Sequence, residues 1–271
     1  MANPYSNRIV AFIDILGFGS LIKTLGSDAG LRKKVHRALS EIRVFKDYSL
    51  SNATAQRNLE VSVFSDSIAI SGEPGELTTI VSSAMGLQAK LLYLGIIVRG
   101  GISQGPTFHA EDLLYGEGMI NAHELELKTA VYPRIVIDPA LIGESEAGLC
   151  AMFLTKDTDG LWFIDPFAQG GLPDGSDDLL EDGWDPHAVY LDHVGRIIEQ
   201  QLALLTDVGH RTKWSWLQTR HAVAQKEFAA YGQPRFWHIL EQAKKKGLIP
   251  SSTKMTVDLG PAKKPSREWV E

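Results

Sequence analysis

The chain has 271 residues, 44% of them hydrophobic and 22% charged, with a formal net charge of −6 at pH 7. This length suits one large domain or one domain with a substantial extension, and the acidic balance excludes broad binding of polyanions such as nucleic acid. A single nucleotide stays compatible with it, because metal ions and backbone dipoles set the local field at such a site.

Cys150 is the only cysteine, so intramolecular disulfides are excluded, as is typical of a reducing compartment. The N-terminal residues lack an apolar signal core, and no apolar stretch reaches about 18 residues. We therefore expect a cytoplasmic protein with no membrane partner.

Hydrophobic periodicity and turn residues divide the first part of the chain into alternating strands and helices. In chain order they predict a strand at 8–15 that ends in the turn Gly17-Phe18-Gly19, a helix at 28–47, a hairpin folded about Ser65-Asp66, a helix at 77–94, a strand at 96–103, a short helix at 117–127, and strands at 133–137 and 161–164. This order predicts an α+β sandwich, with helices on one face of a mostly antiparallel sheet.

The composition changes after Pro166. An acidic, loop-like stretch at 170–178 is followed by helical patterns near 186–206 and 211–231, and the last 20 residues are predicted to be extended. We predict a catalytic domain at 1–168 and a loop and helical extension at 169–271. The extension carries no motif that indicates its role.

Two aspartates lie at the ends of short apolar runs and are the strongest functional signal. Asp14 ends the first strand, and Asp66 lies in the hairpin turn. Neighbouring strands are about 5 Å apart, so two such strand ends can converge on one point. Two carboxylates with no cation in either motif favour a divalent metal site and phosphate chemistry. Two alternatives stay open: Asp14 as a helix cap, and Asp66 as an ordinary turn residue.

Four segments, in order, resemble the motifs of class III nucleotidyl cyclases. They are Phe12-Ile13-Asp14-Ile15-Leu16-Gly17-Phe18, then Ser65-Asp66 followed by Ser71-Gly72, then Arg99-Gly100-Gly101-Ile102-Ser103-Gln104-Gly105-Pro106, and finally Tyr115-Gly116 with Ala122-His123-Glu124-Leu125-Glu126. The resemblance covers about residues 8–165. It implies the family's ferredoxin-like sandwich, and a homodimer with its active sites at the interface.

The departures from that family concern groups that recognise purines or act in the transition state. Ser62 replaces the lysine that reads adenine, and Leu113 replaces the acidic partner in purine recognition. Ile120 replaces a helix asparagine, and Glu124 replaces the transition-state arginine. This combination resembles the pyrimidine cyclases of bacterial Pycsar antiphage systems. It implies conversion of UTP to cyclic UMP, or of CTP to cyclic CMP, as a second messenger for a cyclic-nucleotide-responsive effector.

The resemblance and the residues together define a candidate site. We expect Asp14, Asp66 and Arg99 to be catalytic, and the two aspartates with the Ile15 carbonyl to bind two Mn²⁺ or Mg²⁺ ions. Arg99 would neutralise the phosphates, or it would contact the base. The predicted substrate contacts are Phe12, the loop residues Leu16, Gly17 and Phe18, whose backbone would cradle the phosphates, Tyr48, which would stack on the base, and Arg99.

Other interpretations of the same residues stay open. Arg99 could form a structural ion pair, and Gly100-Gly101 could accommodate a bulge. A non-catalytic nucleotide-sensing module on the same fold is the alternative function, since Ile120 and Glu124 stand where catalytic groups are usual. Dinucleotide binding is excluded as a main interpretation, because Ile22 stands where the third glycine of that motif would be.

Overall fold

The computed structural model describes residues 5–51, 59–111, 113–142, 152–168 and 185–247. The side chains of residues 48–51 and 236 are outside this description. In chain order the elements are β1 (Tyr5–Ile15), α1 (Phe18–Thr24), α2 (Ala29–Ser51), β2 (Glu60–Phe64), β3 (Ser67–Gly72), α3 (Leu77–Tyr93), β4 (Val98–Ala110), β5 (Leu113–Gly116), α4 (Glu117–Lys128), β6 (Ile135–Ile137), β7 (Leu154–Lys156), β8 (Trp162–Ile164), α5 (Pro186–Leu204), α6 (Val208–Tyr231) and α7 (Arg235–Lys245).

One sheet joins the strands in the order β2-β3-β1-β4-β6-β8-β7, and β5 pairs with the far part of β4. The pairing is antiparallel except between β4 and β6, which run parallel. The first four strands, with α2 and α3 between them, form a ferredoxin-like βαββαβ unit of sheet order β2-β3-β1-β4. The predicted α+β class with a mostly antiparallel sheet is confirmed.

The two faces of β1 pack against different helices. Ile9 and Ile13 belong to the main core, which includes residues of α2 and α3, whereas Val10 and Phe12 pack against Ala122 of α4. Because successive side chains of a strand point to opposite faces, α4 lies on the sheet face opposite α2 and α3. The expectation of helices on one face only is therefore wrong for α4.

Glycines in β4 let α4 approach the sheet closely. A Cβ atom added at Gly101 would lie 2.6 Å from the Leu125 Cβ and 3.0 Å from the backbone nitrogen of Glu126. At Gly105, an added Cβ would lie 2.8 Å from the Gly118 nitrogen. These glycines thus serve a close helix-to-sheet contact, which is one of the known uses of glycine inside a strand.

The predicted helices and strands are all present, and several further ones were not predicted. Helix α1, the strands β5 and β7, and helix α7 have no counterpart in the prediction, and β4 extends to Ala110, beyond the predicted end at 103. Three of these elements have seven residues or fewer, which is too short for a clear period. Gly105-Pro106 hid the second half of β4, because such a pair is typical of a strand end.

Helices α5 and α6 pack onto the ferredoxin-like unit through a second apolar cluster. It joins Leu92 and Ile97 of that unit to Tyr190, Val194 and Leu217 of the two helices. Ion pairs add to this attachment: the Asp165 carboxylate, which is almost fully buried, accepts a hydrogen bond from Arg220 of α6 at 2.6 Å. Helices α5 and α6 are therefore part of the same packed body as the sheet.

Several predictions concern residues outside the described ranges. The residues concerned are Cys150, the acidic stretch at 170–178 and the C-terminal 20 residues that are predicted to be extended. The boundary at 168/169 borders such a range and stays a prediction. Among the described residues, no helix combines the length and the apolar character that a membrane span requires.

Candidate active site

Asp14 and Asp66 meet at one end of the central strands. Asp14 lies opposite Ser67 of β3 and Arg99 of β4 in the sheet register. The Ser67 hydroxyl donates a hydrogen bond of 3.0 Å to Asp14 Oδ1. Asp66 lies in the hairpin turn, where its carbonyl accepts a hydrogen bond of 3.0 Å from the N–H of Ile15. The structure therefore brings together the two aspartates, which are far apart in the chain.

The hairpin turn that carries Asp66 has an uncommon backbone conformation. Ser65 has φ 55°, in the left-handed region that few non-glycine residues adopt. The two-residue turn is docked onto the end of β1 through the Ile15-to-Asp66 hydrogen bond. This contact keeps Asp66 next to the strand end that carries Asp14.

Arg99 forms an ion pair with a third carboxylate, Glu126 of α4, through its Nε atom. The contact lacks hydrogen-bond geometry, which leaves Arg99 Nε and Glu126 Oε1 without a hydrogen-bond partner among the described residues. The Glu126 side chain is 3% exposed, so α4 brings a buried acid close to Arg99 and Asp14. The alternative interpretation of Arg99 as one half of a structural pair is thus correct, and its contact with phosphate stays a prediction.

The electrostatics of the cluster favour a bound cation. Burial raises the pKa of Asp14, the Ser67 hydrogen bond and Arg99 oppose that rise, and nearby Asp66 adds to it. Burial also raises the pKa of Glu126, which Arg99 opposes and Asp14 reinforces. Carboxylates here outnumber the guanidinium, so the cluster has excess negative charge.

A divalent cation fits this donor set. Carboxylate and carbonyl oxygens are the ligands preferred by Mg²⁺ and Mn²⁺, and a cation would stabilise the buried Asp14 carboxylate, whose pKa is raised mainly by burial and further by Asp66. Within the described ranges there is no group of three or more His, Cys, Asp and Glu side chains arranged around one metal position. Any metal held here would therefore rely on the two aspartates, on backbone oxygen such as the Ile15 carbonyl, and on its substrate.

His123 and Phe12 border the carboxylate cluster. The His123 Nε2 lies 3.9 Å from Glu126 Oε2, and the imidazole packs edge-on against the Phe12 ring at 5.1 Å between centroids. Phe12 is 8% exposed and packs with Val10 and Ala122. Its side chain contributes to the apolar contact between β1 and α4, so its predicted contact with substrate stays untested.

The loop after Asp14 is only in part available to a phosphate. The Leu16 N–H donates a hydrogen bond of 2.9 Å to the Ile97 carbonyl, and the predicted contact of Leu16 with substrate stays a prediction. Gly17 has φ 75°, and its carbonyl accepts hydrogen bonds from the N–H groups of Ser20 and Leu21. The Gly17-to-Gly19 part of the cradle stays a prediction. Gly19 is exposed, and nothing lies within 4 Å of its open side.

The remaining predicted base contact is Tyr48, which lies in the C-terminal part of α2. Its side chain is among those outside the described residues. Its role therefore stays a prediction that rests on sequence.

Ser62, which the resemblance aligns with the adenine-reading lysine of the cyclases, is tied into a buried polar network. The Ser62 hydroxyl donates to the Glu111 carbonyl at 3.1 Å and lies 2.9 Å from His109 Nε2, while His109 Nδ1 lies 2.7 Å from the Ser71 hydroxyl. Arg8 Nε donates to that same Ser71 hydroxyl at 2.9 Å. Burial lowers the pKa of His109 to about 4, so the ring is neutral at pH 7. Ser62 is fully engaged by protein groups.

Two other departures from the family lie on the outer side of α4. Ile120 is 57% exposed, and Glu124 pairs at 2.9 Å with Lys128 one turn along the helix. Leu113, at the start of β5, is 58% exposed. All three side chains face outward from this chain and are available to a partner.

Sequence reasoning missed Glu126, His123 and Ser67 as members of the site. Glu126 and His123 stand within the fourth cyclase-like segment, so a signal for them was present, but nothing in the sequence placed α4 on the face of the sheet that carries Asp14. Ser67 directly follows Asp66 and faces Asp14 only because of the antiparallel register. Strand register cannot be read from two separate segments.

Comparisons with known proteins find structural similarity but no sequence match. No protein-family model matches the chain, and no curated protein matches it. The adenylyl cyclase CyaB from P. aeruginosa matches with 15% identity, over 58% of this chain and 93% of that chain, at a TM-score of 0.38.

Two structures of bacterial light-regulated adenylyl cyclase also match. One has 18% identity over 51% of this chain and 44% of that chain, with a TM-score of 0.34. The other has 17% identity over 72% of this chain and 98% of that chain, with a TM-score of 0.41. Similarity at this level assigns no activity, which must be argued from the site itself.

Proposed function

We propose that the chain is a metal-dependent nucleotide cyclase that converts a nucleoside triphosphate to its 3′,5′-cyclic monophosphate and pyrophosphate. The observation that carries the proposal is the meeting of Asp14 and Asp66 at the end of β1, beside an exposed glycine loop. Excess carboxylate charge next to an open loop suits a metal-bound triphosphate.

Cyclisation is an in-line attack of the ribose 3′-oxygen on the α-phosphorus. Two Mn²⁺ or Mg²⁺ ions, held by Asp14, Asp66 and the Ile15 carbonyl, would activate that oxygen and bind the triphosphate. Ser67 fixes the Asp14 carboxylate through its hydrogen bond. Arg99, held by Glu126, places a cation beside Asp14, where it counters negative charge on the reacting phosphate.

We further propose a pyrimidine substrate, UTP ahead of CTP. The engagement of Ser62 by His109 and Glu111 supports this, because Ser62 then offers no free hydroxyl to a purine at the family's base-reading position. The preference for UTP, and the use of cyclic UMP as an antiphage second messenger for an effector, follow the resemblance to the Pycsar cyclases.

The active form in this proposal is a homodimer. Tyr115 of β5 stacks on Phe108 and Tyr5, yet it is 51% exposed, and the exposed Leu113 and Ile120 lie on β5 and the contacting helix α4. Exposed apolar residues grouped in this way favour contact with a second copy. Since each chain carries Asp14, Asp66 and Arg99, a symmetric dimer would contain two equivalent sites.

The test is incubation of the protein with each of ATP, GTP, CTP and UTP in Mn²⁺, followed by chromatography of the products. We expect cyclic UMP as the main product, with cyclic CMP as the alternative. Asp14→Ala and Asp66→Ala should abolish turnover, whereas Asp192→Ala, on an exposed ion pair of α5, should not change it.

The outcomes separate the parts of the proposal. A dominant cyclic purine would refute the pyrimidine specificity, and turnover by Asp14→Ala would refute the two-metal assignment. Nucleotide binding without any cyclic product would favour the non-catalytic sensing module, for which the outward-facing Ile120 and Glu124 are the supporting observation.

A further inference from the structure

The helical extension reaches the loop that follows Asp14. Leu16 of this loop and Leu205, in the turn between α5 and α6, both pack against the apolar cluster that joins the extension to α3. Arg211 Nη1 closes that turn by donating to the Leu202 carbonyl at 2.9 Å. The first turn of α6 is therefore held next to the candidate site.

Asp207 orients a histidine in this first turn. Its carboxylate caps α6 by accepting a hydrogen bond of 2.7 Å from the backbone N–H of His210. The same Oδ1 atom lies 3.8 Å from His210 Nδ1. The carboxylate thus faces one nitrogen of the imidazole, and the opposite edge of the ring, with Nε2, points away from it.

That opposite edge faces the loop glycine. His210 Nε2 lies 3.6 Å from the position that a Cβ atom would occupy on Gly17, and Cε1 lies 3.9 Å from it. Because Gly17 has no side chain, the imidazole lies directly beside the loop backbone, and the neighbouring Gly19 is exposed. The His210 side chain itself is 40% exposed, so the ring is open to solvent beside this loop.

The Gly17 loop needs a side-chain donor if it is to hold polyphosphate. Residues 9–22 contain no lysine or arginine, and the proposed function assigns Arg99 to the reacting phosphate beside Asp14. An imidazole N–H can donate to a phosphate oxygen, and it carries a positive charge when the ring is protonated. His210 of α6 is thus positioned to donate a hydrogen bond to phosphate, which no basic side chain of the loop can do.

We propose that His210, from the C-terminal extension, binds the β- and γ-phosphates of the nucleotide at the Gly17 loop and so makes the extension part of the active site. This inference rests on the proposed function, because it takes the triphosphate to lie at that loop. The four cyclase-like segments do not include His210, so the proposal gives the extension its own role in binding the phosphate tail of the substrate.

The test compares ligands with and without the phosphate tail. Binding of UTP, UMP and inorganic tripolyphosphate, each with Mn²⁺, is measured by calorimetry for the wild type, His210→Ala and His210→Gln. We expect His210→Ala to weaken binding of UTP and tripolyphosphate about tenfold, which is the lower range for a hydrogen bond to a charged group at an exposed site. UMP affinity should be unchanged, and His210→Gln, which keeps an N–H donor, should recover part of the loss.

The matched control is Thr212→Ala, which alters the same turn of α6 but removes only a hydroxyl that donates to the Val208 carbonyl. It should bind all three ligands as the wild type does. In turnover assays, His210→Ala should raise KM with a smaller effect on kcat, whereas a general loss of structure would also lower UMP affinity and the unfolding temperature.

The results distinguish this inference from the proposed function. Equal tripolyphosphate affinity in the wild type and His210→Ala, with cyclase activity present, overturns the role of His210 and leaves the cyclase proposal in place. His210-dependent tripolyphosphate binding without any cyclic product supports the phosphate contact and overturns the cyclase proposal. A wild type that binds neither UTP nor tripolyphosphate overturns both.

Discussion

Replacing Gly101 by alanine tests the close contact that places Glu126 beneath the site. The added Cβ would lie 2.6 Å from the Leu125 Cβ, about 0.8 Å inside the 3.4 Å at which ordinary contact begins, and it would meet the Ala122 carbonyl as well. The three nearest atoms are all backbone or Cβ atoms, which no change of rotamer can move. Helix α4 must therefore retreat from β4.

The expected cost follows from overpacking of a well-packed contact, about 1–3 kcal/mol of unfolding free energy. In a protein of this size, 1 kcal/mol corresponds to about 2–4 °C, so the unfolding temperature should fall by about 2–12 °C. Glu126 would retreat with α4 and loosen its ion pair with Arg99. Cyclase activity should fall further than stability alone explains, because displacements of about 1 Å near reacting groups cost up to about 100-fold in rate.

The assay is thermal unfolding by circular dichroism, combined with product formation from UTP and Mn²⁺ well below the unfolding temperature. Gly75→Ala is the matched control, since Gly75 lies in the short 3₁₀ turn Pro74–Glu76 and nothing lies within 4 Å of its open side. It should change stability by about 0.5 kcal/mol or less. If Gly101→Ala unfolds within a degree of the wild type, α4 does not pack on β4 as described.

Three further predictions follow from the electrostatics. Asp14→Asn should raise the unfolding temperature of the metal-free protein at pH 7 while abolishing turnover. Burial raises the pKa of Asp14, so its contribution to stability is present at low pH and is lost as the pH rises through the raised pKa. A melting temperature of Asp14→Asn below that of the wild type, with both measured in chelator at pH 7, would contradict this expectation. In His109→Gln, the free energy of unfolding should fall less on acidification than it does in the wild type. Burial lowers the pKa of His109 from 6.5 to about 4, so its contribution is complete above pH 6.5 and falls by about 3 kcal/mol towards pH 4, as urea titrations at several pH values would show. Asp165→Asn should cost about 3–5 kcal/mol in urea unfolding, because Arg220 and Arg235 would be left with an uncharged partner, and a loss below 1 kcal/mol would refute that assignment.

The sequence predicted the central part of the fold because its patterns are long and regular. The runs that became β1 and α3 show clear periods, and Gly72-Glu73-Pro74-Gly75 marked the end of the Asp66 hairpin. The short elements α1, β5 and β7 were missed, because three to seven residues cannot establish a period against their neighbours.

The candidate site was predicted in part. Asp14, Asp66 and Arg99 were identified from local motifs, and the structure brings them together at one end of the sheet. The sequence did not indicate that the Leu16 N–H donates to the Ile97 carbonyl, because this hydrogen bond depends on how the end of β1 pairs with the start of β4. Such long-range backbone pairing leaves no trace in the local sequence.

The sequence by itself determined the alternation of strands and helices and the two acidic positions, because hydrophobic period and motif are properties of contiguous residues. Only the tertiary structure decided which face of the sheet α4 covers, that Glu126 pairs with Arg99, and that His210 lies beside Gly17. These relations join segments separated by tens to hundreds of residues, and they are fixed by strand register and by the packing of helices on the sheet.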